Sequence, residues 1–318
     1  MANPLDTLNY THQEYAKRLT KAAAIACFDW IGLGDEKAAD QAAVNAMRNE
    51  FNLLSISGRV VIGEGERDEA PMLYIGEEVG LGGDEIDIAV DPLEGTTICA
   101  GNMPNSIAVL ALAKRGGLLH APDVYMDKIA VGPGLPEGVV SIDNSVSENI
   151  RNLAKAKKCS PIDLNVCVLK RERHAELIAK IREAGARVQL IGDGDVSAVI
   201  ATSIFGGKVD LYMGSGGAPE GVLAAAALSC IGGQMQGKLL FRNPDEKARA
   251  AAAGVKDLNK IYSIQDMVKS DVVFCATGVT SGWMLGGVEK CASTITTSHL
   301  IMHRATASMK FITETDFL

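Results

Sequence analysis

Apolar and polar positions follow different patterns in the two halves of the chain. Up to about residue 150, long segments with apolar residues at helical spacing are mixed with short alternating segments that suit strands. After residue 150, short apolar segments alternate regularly with helical ones, a rhythm typical of parallel βαβ units. The predicted helices are residues 14–31, 36–54, 70–79, 174–184, 196–205 and 221–230, and the predicted strands are residues 59–62, 86–90, 164–169, 187–191, 208–213, 271–276 and one or two within 298–312.

These elements predict an α/β protein whose first half is α+β. We place a domain boundary near residue 150, with an α+β domain in residues 1–150 and an α/β domain in residues 151–318. The C-terminal tail can pack back on the first domain. A chain of 318 residues with 47% hydrophobic and 22% charged residues is long enough for two separate cores.

Charge and cysteine usage narrow the class of partners. The formal net charge of -8 and the lack of a basic segment argue against a nucleic-acid partner, and an anionic substrate would need metal ions as intermediaries. No apolar segment reaches the ~20 residues that span a bilayer, and the polar start of the chain does not resemble a signal peptide. Seven cysteines without a C-x-x-C pair fit reduced thiols. We therefore expect a cytoplasmic protein that binds neither nucleic acid nor membrane.

Two carboxylates follow the predicted strand at residues 86–90. Asp91 and Glu94 lie on either side of Pro92, which we expect to end the strand, and Gly95 and Thr96 come next. Hard divalent cations need several oxygen ligands, and phosphate needs the backbone N–H groups that an uncrowded glycine turn exposes. The segment predicts a metal-and-phosphate site, while an acidic turn after a strand is the simpler alternative.

Three more acidic side chains are candidates for the same site. Asp40 shares a helix face with apolar residues, and a buried carboxylate needs a cation or a basic partner. The alternative is that Asp40 is a first-turn acidic residue stabilised by the helix dipole. Glu64 lies between Gly63 and Gly65, whose flexible backbone would let its carboxylate reach an ion. The alternative is an exposed loop on which this run of carboxylates is simply solvated. Glu220 follows a glycine loop at a predicted helix start. Its carboxylate either interacts favourably with the positive end of the helix dipole or reaches a cation.

Four segments, taken in order, resemble the class II fructose-1,6-bisphosphatases over nearly the whole chain. They are G-E-G-E at residues 63–66, D-P-L-E-G-T at 91–96, D-G-D at 193–195 and G-G-A-P-E at 216–220. The second segment alone is typical of the wider lithium-sensitive, metal-dependent phosphatase superfamily. The resemblance implies a layered α-β-α-β-α sandwich, assembled as a homodimer or homotetramer, that removes the 1-phosphate of fructose 1,6-bisphosphate in gluconeogenesis.

The same resemblance implies roles for individual residues. Asp40 and Glu64 would hold one Mn²⁺ or Mg²⁺ ion, and Asp91, Glu94 and Glu220 a second. Thr96 would position or activate the attacking water, with Asp68 as a nearby catalytic carboxylate. Relatives commonly carry proline at the position of Glu172, so the roles of its two arginine neighbours follow less directly. The implied substrate contacts are Glu94, Gly95, Thr96, Tyr125, Arg171, Glu172, Arg173, Asp193, Gly194, Asp195 and Gly217.

The sequence also bears on several other functions. A dehydrogenase is disfavoured, because neither glycine loop completes G-x-G-x-x-G: Pro219 and Asp68 occupy the third glycine position. The near P-loop at residues 232–238 is followed by Leu239, where magnesium binding needs Ser or Thr. Sedoheptulose-1,7-bisphosphatase or a dual-specificity enzyme stays open, and inositol monophosphatase is more distant. A catalytically silent metal-binding regulatory protein is the alternative from another class, against which the intact Thr96 argues.

Overall fold

The computed structural model describes residues 7–65, 72–204, 209–252 and 254–318. The chain divides into two compact units: unit 1 is Met1–His120 with Val268–Leu318, and unit 2 is Ala121–Met267. The C-terminal segment therefore belongs to unit 1. The expected boundary near residue 150 differs from this division, because the strand that begins at Tyr125 is hydrogen-bonded within the sheet of unit 2.

Unit 1 contains an eight-stranded, mostly antiparallel sheet. Its order is β12-β13-β11-β4-β3-β1-β2, with β14 also paired to β13, and β1 and β3 are its parallel pair. The strands are β1 (Ile56–Ile62), β2 (Glu78–Val79), β3 (Asp84–Glu94), β4 (Ile107–Lys114), β11 (Val272–Gly278), β12 (Glu289–Cys291), β13 (Thr294–His303) and β14 (Ser308–Phe317).

Helices α1 (Tyr10–Cys27) and α2 (Glu36–Phe51) cover one face of this sheet, and α3 (Thr96–Ala100) follows β3. Asn9 and Asp35 cap the first two helices, as their side chains accept hydrogen bonds from exposed backbone N–H groups of the first turn. The apolar face of α1 packs mainly on β11 and β4, and that of α2 on β3. Alternate residues of β3 and β4 lie in the core between the helices and the sheet, where burial of their apolar surface stabilises the unit. This core includes Leu19, Met47, Phe51, Ile86, Ile88 and Leu110, all fully buried.

Unit 2 contains a six-stranded sheet and six α-helices among its described residues. The elements are β5 (Tyr125–Val131), α4 (Val146–Lys157), β6 (Asn165–Leu169), α5 (Ala175–Glu183), β7 (Arg187–Ile191), α6 (Asp195–Ala201), β8 (Leu211–Gly217), α7 (Ala218–Ser229), β9 (Gln234–Leu240), α8 (Pro244–Ala252), β10 (Ile261–Ser263) and α9 (Ile264–Met267), together with two 3₁₀ helices, Pro161–Asp163 and Glu172–His174.

The strand order in this sheet is β10-β9-β5-β8-β6-β7. The pairs β6–β7 and β6–β8 are parallel, whereas β5 is antiparallel to both β8 and β9. Helices α4 and α5 pack on one face of the sheet, and α6 and α7 pack on the other, because side chains alternate between the two faces along each strand.

The chain is thus a mixed α/β protein, as the sequence predicted. Unit 1 has a helix layer on a sheet, and unit 2 has a sheet with helices on both faces. The helix predicted at residues 70–79 is wrong over its described part, because Glu78–Val79 is a strand and Leu73 and Gly76 have positive φ. Pro92 does not end β3, which continues to Glu94.

Within the described part of the chain, no helix is both long enough and apolar enough to cross a membrane.

Candidate functional site

A β-bulge places Asp91 and Glu94 on the same face of the unit 1 sheet. Asp91 pairs with Val109 of β4 and Glu94 pairs with Ile107, so three steps along β3 match two along β4. Val109 and Ile107 point to the same face because side chains alternate along a strand, and paired residues share a face. The extra residue in β3 therefore brings together two carboxylates that a regular strand would separate.

Gly95 joins β3 to α3 in a backbone conformation that favours glycine. Its φ is 85°, in the left-handed region. Thr96 is the first residue of α3 and is half-buried, whereas Thr97 beside it is exposed. Glu94 is 5% exposed, which places its carboxylate away from bulk water. The residues predicted from the sequence at this point thus form one strand–turn–helix segment.

Asp40 lies on the side of α2 that faces the core. It is half-buried, and this desolvation raises the pKa of its carboxyl group above the ordinary value. The thiol of Cys27, whose pKa is raised by its hydrogen bond with Cys99 and by burial, also feels the charge of Asp40. Because Cys99 belongs to α3, Asp40 lies in the neighbourhood of that helix. The buried neighbours on its own face are Val44, Met47 and Phe51.

Glu64 lies two residues after the end of β1, at a bend in the chain. Its backbone N–H donates to the carbonyl of Leu73 at 3.0 Å, and a Cβ at Gly63 would lie 2.0 Å from the same oxygen. Gly63 is therefore needed for this close approach, which fixes the backbone at Glu64. Asp68 lies outside the described residues, so its catalytic role stays a prediction.

The described residues do not by themselves form a recognisable metal centre. Among residues 7–65, 72–204, 209–252 and 254–318, no group of three or more His, Cys, Asp or Glu could hold a metal ion. Four predicted ligands belong to unit 1, and Glu220 belongs to unit 2. The donor chemistry nevertheless fits a hard divalent cation, because all five are carboxylates, two of them share a sheet face and Asp40 is desolvated.

The predicted substrate residues of unit 2 lie at one edge of its sheet. Strands β6, β7 and β8 are parallel, so the segments that follow them leave from the same edge. Because β5 is antiparallel to β8, its first residue, Tyr125, pairs with Gly217 at the end of β8. This edge therefore carries Tyr125, Gly217 and the segments 171–173 and 193–195.

Arg173 is held between Ser215 and Tyr125. Its Nε donates to Ser215 Oγ at 2.9 Å, its Nη2 donates to Ser215 O at 2.8 Å, and its Cζ lies 4.7 Å from the Tyr125 ring centroid. His174 supports this arrangement: its Nδ1 donates to Leu169 O at 2.7 Å, and its Nε2 accepts from Ser215 N at 2.9 Å. Burial lowers the pKa of His174, which suits this neutral tautomer. Sequence reasoning missed the role of His174, since a lone histidine has no diagnostic spacing.

Arg171 is tied to a different strand end. Its Nη1 donates to the carbonyl of Gly192, and its Nη2 lies 3.8 Å from Asp193 Oδ1. Glu172, between the two arginines, is exposed. The two predicted phosphate-binding arginines are therefore positioned independently.

Lys128 is a buried lysine that connects two predicted substrate segments. Its Nζ donates to Asp195 Oδ2 at 2.5 Å and to Gly217 O at 2.9 Å, and the residue is 2% exposed. Tyr212 also donates its hydroxyl to Asp195 Oδ2, at 3.2 Å. The Oδ2 atom of Asp195 is thus engaged within the protein. A lysine inside a strand gave no sequence signal for this contact.

Gly217 leaves room for the carboxylate of Glu220. Glu220 is the third residue of α7, and a Cβ at Gly217 would lie 1.9 Å from Glu220 Oε2. The side chain therefore folds back over the glycine at the positive end of the helix.

Each unit also contains a cavity that is lined by none of the candidate site residues that the structure describes. The cavity of unit 1, of about 490 Å³, includes Met103, Val279 and Val288. The cavity of unit 2, of about 430 Å³, includes Gly232 and Gly233 from the near P-loop segment.

Comparison with known proteins agrees with the resemblance seen in the sequence. Residues 12–316 match the family described as bacterial fructose-1,6-bisphosphatase, glpX-encoded. The chain is 43% identical to the D-fructose 1,6-bisphosphatase class 2/sedoheptulose 1,7-bisphosphatase of Thermosynechococcus vestitus, over 92% of each chain. It is also 43% identical to fructose-1,6-bisphosphatase 1 class 2 of Escherichia coli, over 95% of this chain and 94% of the relative.

Among solved structures, an inositol monophosphatase from Anabaena aligns with 64% of this chain and 73% of its own, at 16% identity. Its TM-score of 0.33 is too low to support an argument about the fold. The assignment rests on the family match and on the two relatives. The chain belongs to the bacterial class 2 fructose-1,6-bisphosphatases, a family of metal-dependent phosphoric monoester hydrolases.

Proposed function

We propose that this chain hydrolyses the 1-phosphate of fructose 1,6-bisphosphate, giving fructose 6-phosphate and inorganic phosphate. The observation that carries the proposal is the family match over residues 12–316. The sheet edge in unit 2 supports it, because arginines and a tyrosine gather there at the carboxyl ends of parallel strands, where α/β proteins bind ligands. We also propose a cytoplasmic homodimer or homotetramer.

The metal cofactor in this proposal is Mn²⁺ or Mg²⁺. Asp40 and Glu64 hold one ion, and Asp91, Glu94 and Glu220 hold the other. The bulge in β3 supports this role by turning both of its carboxylates to one face of the sheet. Divalent cations, when bound, supply the positive charge that offsets negative charge on the transferred phosphoryl group.

Residues of the turn after β3 act on the reacting water. The hydroxyl of Thr96 orients the water for in-line attack on phosphorus, and the left-handed Gly95 exposes backbone to the phosphate. The water oxygen forms the new bond to phosphorus as the bond between phosphorus and the sugar oxygen breaks, and the proton that the water loses is balanced by one that ends on the released sugar oxygen. Asp68 is the proposed catalytic carboxylate. Enzymes must accelerate phosphate-monoester hydrolysis by up to ~10²¹-fold, so positioning and charge must act together.

Residues of unit 2 bind the rest of the substrate. Tyr125, Arg171 and Arg173 hold the phosphate that is not cleaved, and Glu172 lies beside them. Asp193, Gly194 and Asp195 contact the sugar, where Asp195 can offer a hydroxyl group its Oδ1, since Oδ2 is engaged by Lys128. Gly217, paired with Tyr125, completes this edge.

A second substrate is supported by one observation. The Thermosynechococcus relative is named for both fructose 1,6- and sedoheptulose 1,7-bisphosphate, and it is 43% identical to this chain. A dual-specificity enzyme is therefore the second candidate.

Phosphate release tests the proposal. The purified chain is assayed with Mn²⁺ or EDTA on fructose 1,6-bisphosphate, sedoheptulose 1,7-bisphosphate and inositol monophosphate. We expect release from the first, loss of release with EDTA, and at least a 100-fold lower kcat in Thr96→Ala. The exposed neighbour provides a matched control, Thr97→Ala, which should keep normal turnover. No release from any substrate would favour a catalytically silent protein, and normal turnover in Thr96→Ala would refute the role of this hydroxyl.

A further inference from the structure

Arg242 lies at the same sheet edge as the proposed substrate residues, although its sequence context does not single it out. Strand β9 is antiparallel to β5, and its last residue, Leu240, pairs with Tyr125. Arg242 follows two residues later, and its Cζ lies 4.7 Å from the Tyr125 ring centroid. The Cζ of Arg173 lies at the same distance from that centroid. Two guanidinium groups therefore contact one tyrosine ring.

The guanidinium of Arg242 is fixed in position but open to solvent. Glu246 is 1% exposed, and its Oε1 accepts a hydrogen bond from Nε of Arg242 at 2.6 Å and lies 2.5 Å from Nη2. Its Oε2 accepts from the backbone N–H of Arg242 at 2.7 Å. The Arg242 side chain nevertheless stays 57% exposed. An arginine held in this way loses less conformational entropy when it binds a ligand than a mobile surface arginine does.

Two guanidinium groups at this edge can bind an anion together, although Glu246 already pairs with one of them. Each Cζ atom lies 4.7 Å from the same ring centroid, so the two Cζ atoms can be no farther apart than twice 4.7 Å. Two positive groups are therefore close together in a protein with a net charge of -8. Like charges at this distance repel, and a dianion between them offsets the repulsion. Planar guanidinium groups match the geometry of phosphate oxygens and bind them in pairs of hydrogen bonds. A structural role at the start of α8, through Glu246 alone, is the alternative.

We propose that Arg242 joins Arg173 in binding the phosphate that is not hydrolysed, with Tyr125 as the platform that spaces the two. Arg242 is then a specificity-determining residue, because it favours sugar bisphosphates over monophosphates that lack the distal group. The inference rests on the proposed function, since it takes the substrate to be a sugar bisphosphate. Binding energy at this remote phosphate would help to orient the reacting one.

Calorimetry with fructose 6-phosphate tests the proposal without turnover, because this product keeps the distal phosphate. The full-length protein in Mn²⁺ buffer is compared with Arg242→Gln, which removes the charge but leaves an amide donor for Glu246. We expect the Kd to rise about 10- to 100-fold, the usual effect of losing hydrogen bonds to a charged group. Lys260→Ala is the matched control, since Lys260 also lies over a tyrosine, Tyr262, and pairs with a carboxylate, Asp266.

Kinetics separate binding from a structural role. Arg242→Gln should lower kcat/KM for fructose 1,6-bisphosphate about 10- to 100-fold but leave kcat/KM for fructose 1-phosphate, which lacks the distal phosphate, within about twofold. Arg242→Lys, which keeps the charge and the Glu246 partner, should recover part of the loss. Unchanged fructose 6-phosphate affinity in both variants, or an equal loss for both substrates, would overturn the inference.

These outcomes are separate from those that bear on the proposed function. A wild-type protein that binds fructose 6-phosphate through Arg242 but releases no phosphate refutes the proposed hydrolysis alone. A wild-type protein that releases phosphate while Arg242→Gln and Arg242→Lys bind fructose 6-phosphate normally refutes the role of Arg242 alone. If the wild-type protein does not bind fructose 6-phosphate, the role of Arg242 is refuted whether or not the protein releases phosphate.

Discussion

Replacing Lys128 by methionine should destabilise unit 2 far more than replacing an exposed lysine. The side chains of Lys128 and Asp195 are 1% and 6% exposed, and the Nζ of Lys128 also donates to Gly217 O. Lys128→Met keeps the apolar volume but leaves the carboxylate of Asp195 buried without its cation. Tyr212 remains as a neutral donor to that carboxylate.

The magnitude follows from this burial. Removing one partner of a buried ion pair costs about 3–5 kcal/mol, because the remaining charge is desolvated and uncompensated. For a unit of this size the melting temperature should fall by roughly 6–20 °C. Lys157→Met is the matched control: its partner Asp210 is more exposed and also accepts from Asn165 N, so we expect about 1 kcal/mol or less.

Urea unfolding followed by circular dichroism measures both variants, and a double variant isolates the charge effect. Lys128→Met with Asp195→Asn removes both charges and should recover much of the lost stability. A loss below about 1 kcal/mol in Lys128→Met, or a double variant no more stable than Lys128→Met, would refute the reasoning.

Three further predictions concern other parts of the molecule. Gly217→Ala should lower kcat at least tenfold in a phosphate-release assay, because its Cβ would displace the Glu220 carboxylate, 1.9 Å away; unchanged kcat would argue against that carboxylate as a ligand. Burial lowers the pKa of His299 to about 4, below the ~6.5 of an unfolded chain. The stability contributed by this neutral histidine is therefore complete above pH 6.5 and is lost as the pH falls towards 4, on the order of 3 kcal/mol. Urea unfolding measured across this pH range should show that the free energy of unfolding changes less steeply with pH in His299→Gln than in the wild type. Equal slopes for the two proteins would contradict the lowered pKa of His299. Asp91→Asn should raise the Mn²⁺ concentration needed for half-maximal activity, whereas an unchanged requirement would exclude Asp91 as a ligand.

Regular elements could be predicted from the sequence because their patterns are local. The strand Arg187–Ile191 has the bounds that were predicted, and α2 begins at the predicted residue, Glu36, because Asp35 is a good helix cap. The parallel pairing of β6 with β7 followed from the alternation of strands and helices. The antiparallel placement of β5 between β8 and β9 could not be predicted, since it depends on contacts distant in sequence.

The candidate site was predictable where one segment carries several of its residues. The segment Asp91 to Thr96 was predicted as one site from its sequence, and the structure shows it as one strand–turn–helix segment. The bulge that turns its two carboxylates to one face was not predicted. The contacts of Lys128, His174 and Arg242 were not predicted, because each is made with residues distant in sequence and none has a local motif.

Phosphorus NMR of fructose 1,6-bisphosphate during turnover tests the central claim most directly, because it shows which phosphate leaves. With Mn²⁺ present, we predict loss of the 1-phosphate signal, growth of inorganic phosphate and an unchanged 6-phosphate signal, with no reaction in EDTA. Release of the 6-phosphate, or hydrolysis that continues without a divalent cation, would contradict the account.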